Sequence, residues 1–133
     1  MDISSLKDRP SVRANPDYFT GNAWVDPLAQ VTASPRLRVL RVTFEPGART
    51  AWHTHPFGQV LHILSGIGRV QRAGEPIRTV GPGDTVAFAA GERHWHGAAP
   101  DHTMVHLAVQ NGMDDGTDVT WLEKVSDAEY GAP

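Results

Sequence analysis

There is no cysteine in the 133 residues of this chain. That absence excludes a disulfide framework, a thiolate nucleophile and any metal site built on sulfur. Excess positive charge is also missing: 12 Lys plus Arg against 15 Asp plus Glu leave a formal net charge of −3. A generally basic nucleic-acid or anionic-membrane binder is thereby excluded as a class. No apolar run approaches the ~18–20 residues of a membrane span, and no charged-then-apolar leader opens the chain. The expectation is a cytoplasmic protein with neither a membrane nor a nucleic-acid partner. The middle of the chain lacks helical periodicity of useful length. What remains, 40% hydrophobic and 20% charged, is too apolar for disorder and suits one domain with one core.

Turns are abundant. With 13 Gly and 10 Pro, the chain is punctuated every eight to twelve residues, between short runs of β-branched and aromatic residues. Residues 37–44 form one such run, ended by Glu45-Pro46-Gly47, and residues 60–64 another, ended by Ser65-Gly66-Ile67-Gly68. Residues 69–71 and 77–80 flank Ala73-Gly74-Glu75-Pro76 as a hairpin. Further runs fall at 85–89, 102–110 and 119–125. This pattern predicts an all-β sandwich or barrel. Residues 1–20 read as an N-terminal arm or first edge element, and residues 21–133 as the barrel domain. Ser126-Asp127-Ala128-Glu129 matches a capping box and predicts a short terminal helical turn.

All seven histidines lie between His53 and His106. Residues i and i+2 of a strand share a face, so His53 and His55 present two imidazoles side by side. Alternation places Gln59 on the inner face with Leu61 and Ile63, and His62 outside or at an interface. His94, following a turn, supplies a third imidazole from a neighbouring strand. Three imidazoles and an amide oxygen would leave positions open on an octahedral ion, as a catalytic centre requires. In 102–110, His102, Met104, His106, Ala108 and Gln110 share one face, and Thr103, Val105, Leu107 and Val109 the other. With the first face inward, His106 is a buried general base, and His96 a second base or a partner of the ligands. Leu40, Val42 and Phe44 share a face suited to an apolar substrate pocket, with Thr50 and Gln110 as polar neighbours. Trp52 and Trp95 point away from the histidines beside them, into packing.

The spacings G-x5-HxH-x3-Q-x6-G from Gly47 to Gly66, and Gly83-x5-Ala89-x-Gly91-x2-His94, resemble the paired motifs of the cupin superfamily. Ala89 and Ala98 stand where that family usually has proline and asparagine. The resemblance implies a single-domain double-stranded β-helix, a jelly-roll barrel, with His53, His55, Gln59 and His94 on the ligand positions. Gln59 replaces the more usual glutamate, so the bare M(II) site would carry +2 instead of +1. That favours anions and Lewis acidity over a cycle through M(III).

Three longer strings, residues 43–56, 91–100 and 121–130, are similar to one group of small bacterial cupins, the manganese-dependent hydroxynitrile lyases. The likeness implies cleavage of a cyanohydrin to an aldehyde and hydrogen cyanide, Mn2+ on the four ligands, acid–base work by His106, and a pocket shaped by Leu40 and Val42. Fe2+, Zn2+ and Ni2+ suit the same donors. Two alternatives stay open: a metal-dependent oxygenase on a small aromatic or diketone, and another small-molecule-binding cupin. Small cupins pair their barrels, so a homodimer or homotetramer is expected, with the arm before Asn22 as an exchanged element.

Overall fold

The computed structural model describes residues 1–131. A 3-10 turn at Leu6–Asp8 precedes β1 (Val12–Arg13), β2 (Phe19–Thr20), β3 (Ala23–Val31), β4 (Arg36–Phe44), β5 (Arg49–Thr50) and β6 (His53–Thr54). Then come β7 (Gln59–Gly66), β8 (Gly68–Arg72), β9 (Arg78–Val80), β10 (Thr85–Phe88), β11 (His94–Ala98), β12 (Met104–Gly112), β13 (Thr120–Trp121) and α1 (Asp127–Tyr130). Antiparallel pairing joins them into two sheets, ordered β1-β3-β4-β12-β7-β10 and β13-β6-β11-β5-β2, with β8 and β9 continuing from β11. This is the all-β architecture that the turn spacing predicts, in the jelly-roll form that the resemblance implies. No helix among the described residues is long and apolar enough to cross a membrane.

Burial follows the alternation. Along β7, Gln59, Leu61 and Ile63 are buried, while Val60, His62 and Leu64 are exposed. Along β12, Met104, His106, Ala108 and Gln110 are buried and Val105, Leu107 and Val109 are half-buried, so the histidine face is the inner one. Leu40, Val42 and Phe44 turn inward from β4 into a core shared with Leu61, Ile63, Phe88 and Met104.

Some expectations shift. His102 does not share the inner face: β12 begins at Met104, and His102 lies exposed in the preceding turn against Asp101. Of 119–125, only Thr120 and Trp121 pair as strand, because Val125 turns into a second core with Trp52, Trp95 and Tyr130. That core confirms the packing role of both tryptophans. Residues 12–20 of the expected arm pair within this chain, β1 with β3 and β2 with β5.

Two glycines set the spacing around the interior. Gly66 has φ of +79°, and a Cβ there would meet the Thr103 carbonyl oxygen at 1.8 Å. At Gly97, a Cβ would lie 2.4 Å from the Ala48 carbonyl oxygen, so β11 and β5 approach as only glycine allows. The C-terminal turn is pinned below them. Ser126 and Glu129 form the predicted capping box, the Tyr130 hydroxyl donates to the Ala98 carbonyl at 2.6 Å, and buried Arg49 donates to the Val125 carbonyl at 2.9 Å.

Candidate metal centre

The interior between the sheets is lined with imidazole. His53 on β6 stands directly opposite His94 on β11 in the ladder, with ring centroids 4.3 Å apart. His96 follows two residues along β11, and one ring nitrogen from each of His53, His94 and His96 lies within 4.8 Å of the others. His55 closes in from the turn after β6, its ring 5.0 Å from His53 and 5.5 Å from His94. From the facing sheet come Gln59 on β7 and His106 and Gln110 on β12.

Backbone carbonyls choose the tautomers of three of these rings. The Nδ1–H groups of His53, His55 and His94 donate to the carbonyls of Ala51, Asp118 and Glu92 at 2.8, 2.6 and 2.8 Å. Each therefore turns a bare Nε2 lone pair inward, the arrangement that orients a histidine toward a metal. His94 Nε2 then faces Gln59 Oε1 at 3.1 Å. Burial pushes the His94 pKa down to about 4, so at neutral pH two acceptors confront each other with no proton between them.

A divalent cation held between the two would resolve that conflict, since each offers it a lone pair. His55 Nε2 and His96 Nε2 are also buried without a hydrogen-bond partner, a cost of about 1–3 kcal/mol each unless something fills the site. His53, His55, His94 and Gln59 thus fit a divalent metal, and His96, with a ring nitrogen within 4.8 Å of those of His53 and His94, borders the same site.

His96 carries a second connection. Its Nδ1 lies 3.0 Å from His106 Nε2, so one proton is shared between two buried rings, and His106 Nδ1 is left free. Burial pushes both rings down, His106 to about 4, with the charge of His106 adding to the burial of His96. Both are neutral at physiological pH and able to accept a proton. Phe44 packs its ring 5.3 Å from His106. Thr50 accepts the backbone N–H of His96 at 3.2 Å, so this expected pocket residue also holds β11 in place.

Three contributors are absent from the sequence reading. Phe88 stacks on His94 at 3.6 Å between centroids. Asp118, buried on the turn after β12, receives Gln110 Nε2 at 3.1 Å and Arg38 Nη1 at 2.8 Å. Phe88 on its inward strand face was findable by alternation; Asp118 and Arg38 carry no local signal.

Comparison with known proteins agrees with this architecture. The cupin domain model matches residues 40–110. A protein of Granulicella tundricola named (R)-mandelonitrile lyase is 47% identical over 130 residues, covering 98% of each chain. Among solved structures, a cupin-like protein of Thermotoga maritima is 38% identical, with a TM-score of 0.84 over 96% of this chain and 95% of its own. A polyketide cyclase of Streptomyces resistomycificus, at 19% identity, shares the fold with a TM-score of 0.74 over 98% and 90%.

Proposed function

We propose, from the premise that this chain belongs to the cupin family, that it is a metal-dependent, non-redox carbon–carbon lyase of the hydroxynitrile lyase type. It splits a cyanohydrin into an aldehyde and hydrogen cyanide and runs the reverse addition. The observation that carries this reading is the donor set: neutral imidazoles and one neutral amide converge with no carboxylate among them. Similarity to a protein named (R)-mandelonitrile lyase supports the substrate class. Held by His53, His55, Gln59 and His94, a divalent ion, Mn2+ in this reading, keeps its full charge and supplies a Lewis acid for the substrate's hydroxyl or carbonyl oxygen. Fe2+, Zn2+ and Ni2+ fit the same donors.

The chain's own residues move the proton. His96 and His106, neutral and joined at 3.0 Å, accept the cyanohydrin hydroxyl proton at a free nitrogen and share the resulting charge. As the carbon–carbon bond breaks, its electron pair leaves with cyanide, and the pair returns the proton to give hydrogen cyanide. Leu40, Val42 and Phe44 offer an apolar wall to the aryl or alkyl group, while Thr50 and Gln110 flank the polar end. In this reading the working unit is a homodimer or homotetramer.

The test is mandelonitrile turnover by protein loaded separately with Mn2+, Fe2+ and Zn2+. Turnover with Mn2+, equal with and without oxygen, is the expected result. Silence toward mandelonitrile, with oxygen uptake on an aromatic or diketone substrate, would replace the lyase by an oxygenase.

A further inference from the structure

Asp118 lies outside the donor set, yet its buried carboxylate heads a chain of hydrogen bonds that ends there. Its Oδ2 accepts from Arg38 Nη1 at 2.8 Å and from Gln110 Nε2 at 3.1 Å. An ionised carboxylate can only accept, so Gln110 must turn its NH2 group toward Asp118. The Gln110 oxygen then faces Gln59 and can also only accept, so Gln59 donates Nε2 to it at 2.9 Å. One end of Gln59 remains, Oε1, and it stands 3.1 Å from His94 Nε2. The polarity matters because an amide NH2 has no lone pair for a cation, whereas the oxygen does.

We infer that Asp118 is a positioning residue of the metal centre: by ordering Gln110, its carboxylate presents Gln59 oxygen-first to the ion. This rests on the reading of Gln59 as a ligand and is independent of which reaction the ion serves. Asp118 also touches the centre through its backbone, whose carbonyl accepts His55 Nδ1–H at 2.6 Å. A side-chain substitution leaves that carbonyl in place, so the two contributions separate.

The experiment is a double-mutant cycle read as Mn2+ affinity of the full chain, from the electron paramagnetic resonance signal of free Mn2+. Asp118→Ala lets both amides turn over and is expected to weaken Mn2+ binding about 10–100-fold, the usual loss for a partner behind a ligand. Gln59→Glu has an oxygen at either end and needs no orienting. In that background Asp118→Ala frees Gln110 to donate to the new carboxylate, so affinity is expected to hold or rise. Asp118→Asn keeps an acceptor oxygen and is expected to restore most of the binding. Gln110→Leu cuts the chain midway, leaves the Arg38–Asp118 pair intact, and reproduces the loss even if Asp118→Ala fails to fold. Equal losses in the wild-type and Gln59→Glu backgrounds, or no loss in either, overturn the inference alone. A wild-type chain that leaves Mn2+ and Zn2+ free at millimolar concentration overturns the metal reading and this inference with it.

Discussion

A buried histidine becomes ligand or base according to what its Nδ1 touches. Where Nδ1–H meets a backbone carbonyl, as in His53, His55 and His94, the ring can only offer Nε2 to a cation. Where Nδ1 meets another imidazole, as in His96, a proton can travel. His53→Ala is therefore expected to abolish metal uptake, read by elemental analysis. His106→Ala should keep the metal and lower kcat for mandelonitrile by about 10²–10⁴-fold; unchanged turnover would assign the base to His96 alone. The same burial sets a pH limit on the metal-free fold. His94 and His106 are pushed down to about 4 from an ordinary 6.5. Between those values the unfolded chain binds protons that the folded chain refuses, so stability drops as pH falls from 6.5 toward 4 and is level above it. Thermal melts of the metal-free protein should show a constant Tm at pH 7–8 and a falling one below 6.5, and a Tm flat through that window would contradict neutral burial. The inward histidines of β6 and β12 were legible from two-residue spacing. Asp118 was not, since residues 114–118 hold several acids, and the hydrogen bond from Met113 N–H to the Thr117 carbonyl shapes the turn that turns one of them inside.

At the scale of strands, punctuation by glycine and proline located β4, the β8–β9 hairpin and β10 to within a residue or two. It missed β3, because Pro27 lies within it; the strand tolerates proline through a register shift between Pro27 and Ala29. It also could not show that β11 is wedged, pairing with β8 along one edge and with both β6 and β5 along the other. That wedge carries His94 and His96 and depends on Gly97. A methyl group at Gly97 would press on Ala48 and Arg49 backbone atoms at 2.4 and 2.6 Å. Gly97→Ala is expected to cost about 1–3 kcal/mol of stability, the usual penalty of overpacking, and to weaken metal binding with it by shifting both histidines. Paired thermal melts and Mn2+ titrations check this; a normal melt with normal affinity would mean that β5 yields freely.

At the scale of the whole molecule, the six-stranded sheet sets its histidines and amides within an apolar core on the inner face and carries further apolar side chains on the outer one. On the outer face Val109 lies between Val39 and Val60, and Leu107 between Arg41 and His62. Val60, Leu64 and Trp24 are 41%, 43% and 39% exposed on the same sheet. A sheet apolar on its second face is normally covered. A second copy of this chain suits that cover, since the Arg41 charge in the face is already met by Asp26 at 3.4 Å and a two-fold axis sets like against like without ionic conflict. We propose this sheet face as the joint of the homo-oligomeric working unit. Sedimentation velocity is expected to show a dimer or tetramer. Leu107→Glu, which points away from the buried histidines of the interior, should release monomers that still bind Mn2+. A monomeric wild type would leave the outer face uncovered and refute the assembly, while loss of metal in the Leu107→Glu monomer would show that the interior depends on the partner.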